Sequence, residues 1–212
     1  MNVTQDGRLT TGIDVLDRRL GGGIPPGHVV ALTAPPDTQS ELLLSGLADE
    51  RDTRYLTTVR SRDEVVSDLP TAWFADTELE VIESRPDRLL ADPDRYLADL
   101  PAGANLIVDT ANGLEAADRE EYLRFLDAVK TGIREVGGAA IFHCTEEPRA
   151  PPQRGLTLNR ADLTWRLRLE VDDLRVSTRL VVSKFRGGRA LLEPIKLKLT
   201  DTVDVDTSRD IG

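Results

Sequence analysis

Residues 28 to 48 constrain the fold more than any other stretch of this chain. His28 to Thr33 reads HVVALT, a short apolar run with a β-branched bias and no alternation, as suits a central strand of a parallel sheet. Pro35 and Pro36 must interrupt it, and Glu41 onward (ELLLSGLA) predicts the helix that follows. A strand, a tight turn and a helix in so few residues point to an α/β architecture.

A phosphate-binding loop would fall at that turn, and its chemistry can be weighed position by position. Such a loop needs the spacing GxxxxGK[ST]: glycines let backbone N–H groups approach phosphate, the lysine supplies a cation, and the hydroxyl coordinates magnesium. Ala34, Pro35, Pro36, Asp37, Thr38, Gln39, Ser40 and Glu41 stand at those positions. Ala34 and Gln39 narrow the turn, Ser40 removes the cation, and Glu41 puts a carboxylate where the hydroxyl belongs. A charged hydrogen bond contributes about 1.5–3 kcal/mol, and Asp37 and Glu41 add repulsion to that loss. Tight triphosphate binding is therefore not expected here, although nothing in these residues disturbs the apolar framework.

The rest of the chain repeats the α/β pattern. Ile13, Leu16 and Leu20 predict a short helix before the Gly21–Gly23 turn, Arg54 to Val59 a second strand, and Asp63 to Leu69 a short helix. Trp73, Phe74 and LEVIES (79–84) read as a small β segment, and 86 to 101 as one helical excursion with an apolar side. Asn105 to Asp109 (NLIVD) is a buried strand ending in a carboxylate, and Glu120 to Val136 a long helix with Tyr122, Phe125, Leu126, Val129, Ile133 and Val136 on one face. Ala139 to Thr145 (AAIFHCT) is another buried strand, on which His143 and Cys144 must point to opposite faces. A satisfied core histidine is the plainer reading of His143; a sensor facing the loop is the other. Residues 146 to 155 read as a proline-rich loop. From 162 the period changes to two, and 162–171, 175–185 and 191–199 predict an antiparallel extension.

Thr11-Gly12-Ile13-Asp14 with Leu16-Asp17, then Gly21-Gly22-Gly23-Ile24-Pro25-Pro26-Gly27, resembles the lead-in segment of RecA-like ATPases of the KaiC and RadA branch, and the resemblance spans roughly residues 9 to 200. It implies a three-layer sandwich with a mainly parallel central sheet and an antiparallel C-terminal extension, one domain over 1–200 and an acidic tail over 201–212. It also implies that Asp109 stands where magnesium is held through water, and that Lys184 and Arg186 of Lys184-Phe185-Arg186-Gly187-Gly188 reach the nucleotide of a neighbouring subunit in a ring. In that pattern the second strand ends in two carboxylates, one of which activates water. Val59 and Arg60 stand there, and neither can accept a proton. The plainer reading of Asp109 is a capping aspartate before the loop TANGL. A hairpin with two glycines and solvated cations explains Lys184 and Arg186 equally well.

Composition narrows the function classes further. Of the 27 basic residues four are lysine (Lys130, Lys184, Lys196, Lys198) and the rest arginine, against 37 acidic residues and a net charge of −10. That balance resembles proteins of a high-salt, archaeal cytoplasm, where an acidic surface keeps chains soluble. No basic run marks a nucleic-acid interface, and no run approaches the ~20 apolar residues that span a bilayer. The lone Cys144 excludes an internal disulfide and a cysteine metal cluster. The leading expectation is a cytoplasmic pseudo-ATPase without a cofactor, acting through a protein partner or self-assembly in a regulatory role. The alternatives are a KaiC-like protein that still binds ATP and magnesium, with slow hydrolysis, and a RadA-like accessory of DNA recombination or repair.

Overall fold

A computed structural model describes residues 7–68, 76–171, 176–199 and 203–205. The apolar runs become strands of a single sheet: β1 (His28–Ala34), β2 (Thr53–Thr57), β3 (Leu79–Glu83), β4 (Asn105–Asp109), β5 (Ala139–Thr145), β6 (Leu163–Val171), β7 (Val176–Phe185), β8 (Ile195–Leu199) and β9 (Val203–Val205). Their spatial order is β3-β2-β4-β5-β1-β6-β7-β8-β9. The strands from β3 to β6 run parallel, and β7, β8 and β9 add on antiparallel, which is the expected parallel sheet with its antiparallel extension. β1 lies between β5 and β6, as its unbroken apolar run requires.

Helices cover both faces. On one, α1 (Asp14–Leu20), α2 (Ser40–Asp49) and α3 (Arg62–Ser67) bury Leu16, Leu20, Leu43, Leu44, Leu47 and Val65 against Val30, Leu32, Ile107, Ile141 and Trp165. On the other lie α4 (Pro86–Ala91), α5 (Pro93–Leu97), α6 (Asn112–Glu115), α7 (Arg119–Val136) and α8 (Arg154–Arg160). Of the predicted stripe of α7, Tyr122, Phe125, Leu126, Val129 and Ile133 are buried on that face, each side chain contributing about 1.5–3 kcal/mol, and Val136 at the helix end is partly buried against them. The lead-in motif is structural. Asp17 accepts hydrogen bonds from the Thr11 N–H and hydroxyl and from the Thr10 hydroxyl, Leu9 pairs with Ile24, and Gly23 at φ 116° leaves room for the Leu9 carbonyl.

Several elements differ from the sequence reading. The expected helix over 86–101 is two helices, because Pro93 pushes Asp92 out of the helical region (φ −144°, ψ 71°) and starts α5. LEVIES gives β3, a parallel edge strand of the main sheet, while Trp73 and Phe74 lie outside the described residues. β2 stops at Thr57, since the Thr57 hydroxyl binds both the N–H and the carbonyl of Arg60 and closes a turn. The proline-rich loop ends early in α8, whose sequence RGLTLNR has no helical apolar stripe to announce it. Tertiary partners hold it: wholly buried Glu115 receives Arg154 Nε at 2.7 Å and the Thr157 hydroxyl. In the acidic tail, Val203–Val205 pairs with β8; most of 201–212 lies outside the described residues.

Candidate functional site

Parallel register brings the ends of the central strands together. Thr57 pairs with Asp109, Asp109 with His143, and His143 with Leu32, two residues before the turn into α2. Tyr55, Asp109 and His143 alternate onto the face that α2 covers, so the polar ends of three strands meet the first residue of that helix, Ser40.

The side chains form one buried network. His143 Nδ1 lies 2.6 Å from Asp109 Oδ1, and its Nε2 lies 3.0 Å from Ser40 Oγ. Asp109 Oδ2 accepts the Tyr55 hydroxyl at 2.6 Å and an Arg60 guanidinium N–H at 3.0 Å; the same guanidinium reaches Tyr55 at 3.1 Å and Asp68 at 3.0 Å. Ser40, Asp109 and His143 are 4, 5 and 7 % exposed. Burial by itself would raise the Asp109 pKa, but the hydrogen bond and charge of His143, then Tyr55 and Arg60, outweigh it and hold the carboxyl at about 2. Burial pushes the Tyr55 phenol well up, and Asp109 beside it adds to that. Asp109 therefore does not act as a loop cap; its carboxylate is turned onto three donors. His143 is both a satisfied core histidine and a residue facing the loop. Cys144 points the other way, where burial first and Glu115 second raise its thiol pKa, in keeping with a packing role.

The turn from Ala34 to Glu41 is closed on itself. Pro35 and Pro36 carry no backbone N–H, and the Thr38 N–H and hydroxyl both donate to the Pro35 carbonyl at 3.2 and 2.7 Å. Pro36, Asp37 and Gln39 are exposed, and Glu41 sits in the first turn of α2.

Lys184 and Arg186 lie elsewhere in the same chain. They sit beside the start of β6, at the other end of the strands from the turn. Lys184 Nζ donates to the carbonyls of Leu158 and Asn159 at 2.8 and 3.1 Å, and Arg186 to the Asn159 carbonyl and to Asp162. Within the chain these cations bind the C-terminal carbonyls of α8, and desolvation, then Arg186, lowers the Lys184 pKa. The cations are thus committed and not simply solvated. Asp162 also holds Lys130 at 2.9 Å and the Val29 N–H.

Sequence reasoning placed Ser40, Arg60, Asp109 and His143 separately, and the structure joins them. It missed Tyr55, whose signal was its place two residues before the end of a buried strand, on the Asp109 face. Among the described residues no group of three His, Cys, Asp or Glu side chains is placed to hold a metal ion.

A parallel core from β3 to β6, with Asp109 on a strand separated from β1 by β5, continued by antiparallel strands, matches a RecA-like fold. A solved KaiC-like protein from the hyperthermophilic archaeon Pyrococcus horikoshii OT3 shares this fold at a TM-score of 0.75 and 17% identity, over 94% of this chain and 98% of that one. Residues 8–212 match the family of unknown function DUF7125, and the chain belongs to that family. No curated protein matches the sequence. No helix among the described residues is long and apolar enough to cross a membrane.

Proposed function

We propose that this protein is a pseudo-ATPase: a RecA/KaiC-like scaffold that does not use nucleotide and acts through contacts with a protein partner or with copies of itself, in a regulatory role in the cytoplasm. One observation carries the reading. The Asp109 carboxylate, where the resemblance puts magnesium, already receives His143, Tyr55 and the Arg60 guanidinium. Arg60 comes from the position where the resemblance expects a carboxylate that activates water, so a fixed cation takes the place of both base and metal.

The residues present do not fit a magnesium nucleotide. Two prolines remove backbone donors from the turn, a third amide is spent on Pro35, no lysine stands at position 40, and Glu41 brings a negative charge. A divalent ion at Asp109 would have to displace the Arg60 guanidinium, the Tyr55 hydroxyl and the His143 imidazole.

Calorimetric titration with ATP and magnesium in concentrated potassium chloride tests this. No heat of binding is expected at millimolar ATP. Saturable, magnesium-dependent binding that Asp109→Ala abolishes would overturn the reading in favour of a surviving ATP binder. Salt-sensitive binding to DNA would favour the recombination accessory.

A further inference from the structure

Ser40, His143 and Asp109 stand in the order and spacing of a nucleophile, a base and an orienting carboxylate. Ser40 Oγ is 3.0 Å from His143 Nε2, and His143 Nδ1 is 2.6 Å from Asp109 Oδ1. The serine opens a 10-residue helix directly after a buried strand and a tight turn, a strand–turn–helix placement that raises a hydroxyl at the edge of an α/β sheet. Tyr55 and Arg60 fix the second carboxylate oxygen, which leaves the first to hold the imidazole. These pieces come from separate strands, a turn and a helix.

We propose that Ser40 is an acyl-accepting nucleophile, with His143 as its base and Asp109, Tyr55 and Arg60 as positioning residues. Ser40 Oγ bonds to the acyl carbon of an ester while its proton passes to His143 Nε2. The Glu41 N–H belongs to the first turn of α2, where helix amides have no intrahelical acceptor, and is the donor assigned to the tetrahedral oxygen. The ester C–O bond breaks, the leaving alkoxide takes the proton from His143, and water repeats the cycle to release the acid. The substrate class follows from access and charge. Ser40 is 4 % exposed, at the end of a turn that shows Pro36, Asp37 and Gln39 to solvent, which bars a bulky acyl group, and Glu41 and Asp37 disfavour anions. Burial and charge together leave small neutral esters as the substrate class.

A fluorophosphonate probe tests this on the full chain, since phosphonylation releases fluoride and leaves a mass label. The expected result is a single adduct mapped by peptide mass spectrometry to Ser40, absent from heat-unfolded protein. His143→Gln should slow labelling, and the hydrolysis of 4-nitrophenyl acetate, by about 100-fold or more while the melting curve stays cooperative. No adduct, an adduct elsewhere, or labelling of Ser40 at the same rate in His143→Gln would overturn the proposal. Mapping on the unaltered chain decides it even if Ser40→Ala or His143→Gln fails to fold.

Discussion

Replacing Asp109 by asparagine isolates the charge at the centre of the network. The folded carboxyl sits at about 2 against an ordinary 3.8, burial being outweighed by His143, Tyr55 and Arg60. Because the folded pKa is the lower, the folded state binds fewer protons than the unfolded chain between those values. The resulting stability is fully present above the unfolded pKa and is lost as pH falls through the folded one. At about 1.4 kcal/mol for each pH unit the contribution is about 2 kcal/mol, and at 5 % exposure solvent screening removes little of it. In Asp109→Asn the side-chain amide would offer one oxygen to three donors and set its NH2 group against the others. Urea unfolding near pH 7 should show Asp109→Asn less stable by about 2 kcal/mol, and by about pH 3 roughly half of that gap should have closed. Two stability curves that run parallel from pH 7 to 3, or that coincide, would refute the claim that an ionised Asp109 ties the strands together.

Two further substitutions probe the frame around the site. Gly23→Ala puts a side chain at φ 116° onto the Leu9 carbonyl, so the lead-in segment must shift; thermal melting should show a loss of about 2 kcal/mol or more. Glu115→Gln removes the buried counter-charge of Arg154 and should cost about 3 kcal/mol, with amide exchange rising first in residues 154–160, which that ion pair holds in place.

Legibility differed from element to element for physical reasons. β1, β4, β5 and α7 could be read because each carries its own signal: unbroken apolar runs for strands buried on both faces, and a stripe at period 3.6 for a helix with one wet side. The break at Asp92 was also in the sequence, in Pro93, but the apolar residues on either side hid it. α8 had no such signal. Its seven residues are helical because Glu115, 39 positions before Arg154, offers a buried carboxylate, and no local window holds both.

For this protein the sequence by itself determined the layered α/β frame, through hydrophobic period, and the absence of glycine and lysine from the turn, through residue identity. Only the tertiary structure decided what stands around that turn instead. Ser40, Tyr55, Arg60, Asp109 and His143 are spread over more than a hundred positions, and it is parallel strand register, set by burial of both faces, that brings their side chains within 2.6 to 3.1 Å of one another.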